Sequence, residues 1–336
     1  MSPGANWTYD QLPLASIEAE HRWRALWERS PQRSVFSAVE YAATIAETFG
    51  LECQSHFVSG RDGEDAVGVL VFVRRLGPYR TVVVPPFTPH SSIIFGTMPS
   101  ETEIHQRRSA LDILLKNLEE QFHALRFQLH PGCTDVRTYT WRGWQVRPYY
   151  TYIASLDGAE SALKGWSQRT RRTARNERDR FVVQENHEAA AQIARTYIQS
   201  LRRQRHRLPA SHERITRLLD ALYQRGLARL FTITPSDSSE PSGGLAMLTA
   251  GQEAYYWLGG SVPGSSMTVL IGAVLPVLCE SGIRTIDYVG ANTPSIAEFK
   301  RQFGGKLVTY YGVEKYNRPE LRMVEHARAL RARLYG

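Results

Sequence analysis

A single lysine lies between two aromatic residues in the tract Phe299-Lys300-Arg301-Gln302-Phe303-Gly304-Gly305. Phe299 and Phe303 are four apart and so share one helical face, the paired glycines are placed to end that helix in a left-handed turn, and Leu307 to Tyr311 reads as a strand. An ammonium held still near a strand end can stabilise an oxyanion. The alternative is a surface helix whose phenylalanines pack inward while Lys300 is solvated. Asp287 closes the strand pattern upstream; it reads either as a proton acceptor or amine-orienting carboxylate, or as an ordinary strand-edge aspartate. Tyr255, Tyr256 and Trp257 precede Gly259-Gly260 on another strand pattern. Alternation gives Tyr256 the phase that faces a cleft, where an adenine or terminal nucleotide could stack, against the plainer reading of a core aromatic.

The net charge of +8 is regional. Residues 160 to 229 carry 16 Lys and Arg against 7 Asp and Glu, which accounts for the whole imbalance. Arg171, Arg172 and Arg175 lead this stripe, and guanidinium forks suit phosphate better than ammonium does. A solvated helix face with pairs such as Arg175 to Asp179 is the competing reading. No Gly-x-Ser-x-Gly elbow and no His-Glu-x-x-His occurs, and the three cysteines, Cys53, Cys133 and Cys279, are far apart. Neither a covalent serine nucleophile, a disulfide framework nor a zinc site is indicated.

The chain that must position these residues is 336 long, 42% hydrophobic and 10% aromatic, enough for two packed domains. Asp10, Glu18 and Glu20 interrupt the N-terminus where a signal peptide needs an apolar run, and Met267 to Cys279 is too short to span a bilayer. A cytoplasmic protein without membrane insertion is expected. A duplication underlies the organisation: Gly143 precedes Tyr149-Tyr150 as Gly304 precedes Tyr310-Tyr311, both at an offset of 161 (304 minus 143, 310 minus 149). The expected class is α+β, two tandem units over 1–156 and 157–336, each a mixed twisted sheet flanked by helices. The pattern predicts helices near 160–179, 187–204 and 266–281, strands near 243–250 and 253–260, and a C-terminal helix over 318–334.

Three tracts carry a resemblance. The Phe-Lys-x-x-Phe-Gly-Gly run with its Tyr-Tyr strand, the basic segment Ser167 to Val183, and Val82 to Ser92 are similar in order and spacing to Fem-type aminoacyltransferases and their acyltransferase relatives in the GNAT superfamily. The resemblance implies two GNAT-like domains and amide formation by attack of an amine on an activated acyl ester. It implies that Lys300 contacts the reacting ester with Phe299 shaping the site, and that Phe87, in the Pro85-Pro86-Phe87-Thr88-Pro89 loop, lines the acceptor pocket. The Arg/Gln-x-x-Gly-x-Gly/Ala turn by which GNAT proteins usually hold coenzyme A is missing. The donor expected is therefore an aminoacyl-tRNA bound through Arg171, Arg172 and Arg175, with no prosthetic group. An acyl-CoA donor is the alternative, and a non-catalytic RNA-binding scaffold a third reading. The acceptor, an amine-bearing small molecule or peptide, and the oligomeric state are not legible.

Overall fold

The computed structural model describes residues 7–90, 92–97 and 103–323. The chain divides into two compact units, one running to Pro148 and resuming at Tyr310, the other Tyr149–Thr309. The expected boundary near residue 157 thus falls eight residues earlier, and the strand ending the second repeat is divided at Tyr310.

The first unit runs β1 (Thr8–Pro13), α1 (Ile17–Arg29), α2 (Val39–Phe49), β2 (Glu52–Ser59), β3 (Asp65–Leu76), β4 (Tyr79–Val83), β5 (Ser92–Phe95), α3 (Glu103–Gln121), β6 (Ala124–Gln128), α4 (Arg137–Trp141) and the start of β7 (Gln145–Ser155). Helix α1 starts at Ser16, whose hydroxyl accepts from Ala19 N, and buries Ala19, Trp23 and Leu26 along one face. Strands β1 to β4 pair antiparallel in sequence, β5 pairs with β3, and β6 joins β4 in parallel at Ala124 opposite Thr81. Helix α3 buries Ala110, Leu111, Leu114, Leu115 and Leu118 in the core beneath.

The second unit continues with α5 (Ala159–Lys164), α6 (Gln168–Asn176), β8 (Phe181–Glu185), α7 (Ala190–Arg203), α8 (His212–Gln224), β9 (Ala228–Pro235), β10 (Gly243–Ala250), β11 (Glu253–Ser261), α9 (Ser266–Glu280), β12 (Thr285–Asp287), α10 (Pro294–Arg301) and β13 (Lys306–Tyr316). Here β8 to β11 pair antiparallel and β12 joins β11 in parallel. Each unit thus has a mixed sheet with one parallel pair at the same place. The single helix expected over 160–179 is broken at Gly165-Trp166: Trp166 turns into the core against Phe303, and Ser167 restarts the helix by accepting from Thr170 N.

The offset of 161 maps β7 onto β13 end to end (306 minus 145, 316 minus 155), and Gly143 and Gly304 have φ of +74° and +75°. Each of these strands also pairs beyond its own repeat. Ile153 to Ser155 of β7 lie antiparallel to β12 in the second unit, and Gly312 to Tyr316 of β13 lie antiparallel to β6 in the first. Of the C-terminal helix expected over 318–334, residues 319–323 are helical and the rest lies outside the described residues.

Candidate active site

Tight helix–sheet packing in the second unit begins at β11. A Cβ at Gly260 would stand 2.4 Å from Thr196 O, so only glycine lets α7 lie this close to the strand. Pairing of β11 with β10 slips by one residue, Ala246 facing Leu258 and Met247 facing Tyr256, which leaves Trp257 as the bulged residue. Strict alternation would send neighbouring side chains to opposite faces. With the bulge, both Tyr256 and Trp257 line a cavity of about 380 Å³ whose other walls include Tyr197 and Arg203 of α7, Met267 of α9, and Ile296, Phe299 and Lys300 of α10. Arg203 fastens one wall, its guanidinium donating to Ser200 Oγ at 2.9 Å and to the Ser261 carbonyl.

Lys300 is 7% exposed, and its ammonium donates to the carbonyls of Val289 and Gly290, the latter at 2.9 Å. Those carbonyls are aimed by two successive left-handed residues, Val289 at φ +49° and Gly290 at +72°. A β-branched residue there is strained and persists only where its surroundings impose it. Asp287 imposes it: its buried carboxylate accepts from Val289 N at 2.7 Å and from the Thr151 hydroxyl. The ammonium also lies 5.5 Å from the Tyr256 ring centroid. Burial pulls the Lys300 pKa from its ordinary 10.5 down to about 8, with the Asp287 charge opposing. The group is therefore mostly cationic at neutral pH. An ammonium has three donors, and two are directed to main-chain carbonyls, so one remains for a ligand in the cavity.

Phe299 is half-buried and meets Phe303 edge-on at 4.8 Å, and Phe303 stacks on Tyr288 at 5.7 Å. The solvated-helix reading of Lys300 does not hold, because the helix turns this residue inward. Gly304 and Gly305 end the tract at φ +75° and +90°; a Cβ at Gly304 would lie 2.7 Å from Gly165 O.

The remaining candidates lie apart from this cavity's lining. Arg171, Arg172 and Arg175 sit on α6, whose start is tied to the end of α10 by the Thr170 hydroxyl donating to Gln302 at 2.9 Å. Arg172 and Arg175 are exposed and make no ion pair among the described residues, so the Arg175–Asp179 pair of the competing reading is not formed. Phe87 belongs to the first unit. Its carbonyl accepts from the Tyr41 hydroxyl at 2.9 Å, and its φ of +66° is unusual for so bulky a residue. Sequence reasoning missed Tyr197 and the Val289-Gly290 carbonyls. Only Gly290, next to the end of a short strand, hinted at the turn.

At the N-terminus of α9, the Ser265 hydroxyl donates to Glu177 Oε2 at 2.5 Å. A carboxylate therefore stands against the N-cap hydroxyl of this helix, and its like charge disfavours a phosphate there. Among the described residues no group of three or more His, Cys, Asp or Glu side chains is placed to hold a metal, and no helix is long and apolar enough to cross a membrane.

Residues 162–301 match the model of the acetyltransferase (GNAT) domain family. The part of the chain that holds Lys300 and its cavity is thus similar to GNAT acetyltransferase domains. No curated protein sequence matches the chain. Among solved structures, FemX is similar at a TM-score of 0.71 and 15% identity, covering 94% of this chain and 100% of that one. A tandem GNAT protein from the clavulanic acid biosynthesis pathway, solved without acetyl-CoA, gives 0.53 and 12% over 94% and 99%. The C-terminal domain of a putative lysylphosphatidylglycerol synthetase from Agrobacterium fabrum gives 0.51 and 11% over 90% and 92%. These likenesses establish a Fem-like, tandem GNAT fold of α+β class, as the sequence motifs implied.

Proposed function

We propose that the protein forms an amide by transferring an aminoacyl group from an aminoacyl-tRNA to an amine acceptor, with Lys300 as the oxyanion donor. The observation that carries this is the buried ammonium in the wall of an aromatic cavity, with two donors anchored on carbonyls and one left over. An activated ester needs no covalent nucleophile. Attack of the amine on the acyl carbon places negative charge on the carbonyl oxygen, and a fixed cation in a site of low dielectric stabilises that charge more than it stabilises the uncharged ester. Phe299, Tyr256 and Trp257 form apolar walls for the acyl group. Asp287 is a positioning residue in this scheme: it holds the 289–290 turn whose carbonyls aim Lys300. Among the described residues lining the cavity none is Asp, Glu or His, so in this scheme the amine's proton leaves through the substrates or water.

The preference for tRNA over coenzyme A rests on Glu177 beside the α9 N-terminus and on the exposed Arg172 and Arg175 of α6, which make no ion pair among the described residues. FemX and the lysylphosphatidylglycerol synthetase domain, as fold relatives, are compatible with this donor class. The description of the matching family as an acetyltransferase favours the second reading, an acyl-CoA-dependent N-acyltransferase. The amine acceptor is taken to be a small molecule or peptide, and a cytoplasmic location follows from a tRNA donor. The deciding experiment measures binding of bulk aminoacyl-tRNA and of acetyl-CoA at low salt. The proposal expects tRNA to bind, and Arg171→Ala with Arg172→Ala and Arg175→Ala to weaken it for all sequences and flatten its salt dependence. Saturable acetyl-CoA binding without tRNA affinity would establish the second reading instead.

A further inference from the structure

The end of α7 and the segment leading to α8 carry Arg202, Arg203, Arg205 and Arg207, and no Asp or Glu occurs between Glu188 and Glu213. Arg202, Arg205 and Arg207 are exposed and make no ion pair among the described residues. Cations in the last turn of a helix complement its dipole, which accounts for Arg202 and Arg203. It does not account for Arg205 and Arg207, which lie past the helix end. Arg205 takes the left-handed position that closes α7, at φ +57°, its N–H donating to the Arg202 carbonyl at 3.1 Å while His206 N donates to the Leu201 carbonyl at 2.9 Å. Glycine is the residue that adopts this position without strain. An arginine there adds charge to a cluster whose mutual repulsion no acidic neighbour in the segment relieves, and a polyanion lying along it would.

The cluster is continuous with the candidate active site. Leu201, Arg203 and Gln204 form part of the lining of the cavity whose other walls hold Tyr256, Trp257 and Lys300. Arg203 is anchored through one terminal nitrogen, Nη2, which donates to both Ser200 Oγ and the Ser261 carbonyl, so its remaining N–H edge is available to a ligand. A row of exposed guanidinium groups that ends at an aromatic pocket fits a single nucleic-acid strand, its backbone held outside and its last residue directed inward. A lone anion would need only one of these arginines.

We propose that this segment docks the unpaired terminal nucleotides of the donor RNA, with phosphates on Arg202, Arg205 and Arg207 and with Arg203 directing the esterified end into the cavity. The assignment rests on the donor's being a charged tRNA. Fluorescence anisotropy of a labelled RNA tetranucleotide, ACCA, at low salt reads this contact apart from the rest of the tRNA. The tetranucleotide binds the whole protein. Arg202→Ala/Arg205→Ala/Arg207→Ala lowers its affinity about tenfold or more and flattens the slope of log affinity against log salt by about 2, the share of three phosphate contacts on a single strand. Arg61→Ala/Arg74→Ala/Arg75→Ala, which removes the same charge from exposed positions of the first unit, binds as wild type. Arg205→Gly separates binding from folding: it supplies the residue this backbone favours and so melts no lower than wild type, yet its salt slope falls by about 0.7. No tetranucleotide binding at millimolar concentration, an equal loss in the first-unit variant, or wild-type binding by Arg205→Gly and the triple variant would overturn the proposal. Bulk tRNA that binds while the tetranucleotide ignores these arginines would overturn this docking and leave the tRNA donor standing, whereas acetyl-CoA binding with no affinity for either RNA would overturn both.

Discussion

The two repeats place different residues at one position. At the offset of 161, Lys300 of α10 corresponds to Tyr139 of α4 (300 minus 161), and both precede a left-handed glycine that turns the chain into an eleven-residue strand. Tyr139 is 2% exposed, sits edge-on to Trp144 at 5.5 Å and belongs to an apolar core. Lys300 is 7% exposed and reaches two carbonyls through a strained turn that Asp287 maintains. One repeat uses the position for packing, and the other holds a charge there at a cost in stability. Burying a lone ammonium is expensive, so a fold that had no use for it would be expected to replace it with something like the tyrosine. On the proposal made for Lys300, this difference assigns the acyl chemistry to the second repeat.

The largest effect expected from breaking this comparison is on the tyrosine side. Tyr139→Lys puts an ammonium among Phe127, Trp144 and the α3 leucines without a carbonyl turn to receive it, and should destabilise by on the order of 3–5 kcal/mol in urea unfolding. A variant that unfolds at the wild-type midpoint would mean the two positions are interchangeable.

Next in size is a pH effect on the lysine side. The folded chain binds the Lys300 proton with a pKa of about 8 against an ordinary 10.5, so the unfolded chain is the better proton binder between those values. Stability relative to Lys300→Met should therefore rise as pH climbs from about 8 to about 10.5, by roughly 3 kcal/mol in total. Denaturation of both proteins at pH 7.5 and pH 10 reads this, and parallel behaviour would show that Lys300 is not held below its ordinary value.

Smaller still is the contrast between the two glycines. Gly143→Ala meets nothing within 4 Å and suffers only the left-handed backbone, about 1 kcal/mol. Gly304→Ala adds a clash at 2.7 Å with Gly165 O and should cost about 2–3 kcal/mol. Equal shifts in melting temperature would remove the tighter packing at the second turn from the account.

Much of this arrangement was legible because it is local. Phe299, Phe303 and the glycine pair encode a helix, its buried face and its end within seven residues, and the recurrence of glycine and paired tyrosines exposed the repeat. What escaped depends on contacts distant in sequence. The bulge at Trp257 leaves no mark in an aromatic run, since three consecutive rings fit either phase of a strand. The left-handed Val289 contradicts local preference and is held by Asp287 and Thr151. Strand propensity set β7 and β13 as strands but not their partners, so their pairing with β12 and β6 in the other repeat was invisible. β1 was missed because TYDQLP carries polar residues and a terminal proline, as an edge strand can.

The central claim, that a fixed ammonium stabilises charge appearing only in the transition state, is tested most directly by Lys300→Met in a single-turnover acyl-transfer assay with donor affinity measured in parallel. The account predicts a rate lowered about 10²-fold or more, with donor affinity within about twofold of wild type and the fold intact. A correctly folded Lys300→Met protein that transfers at the wild-type rate would contradict it.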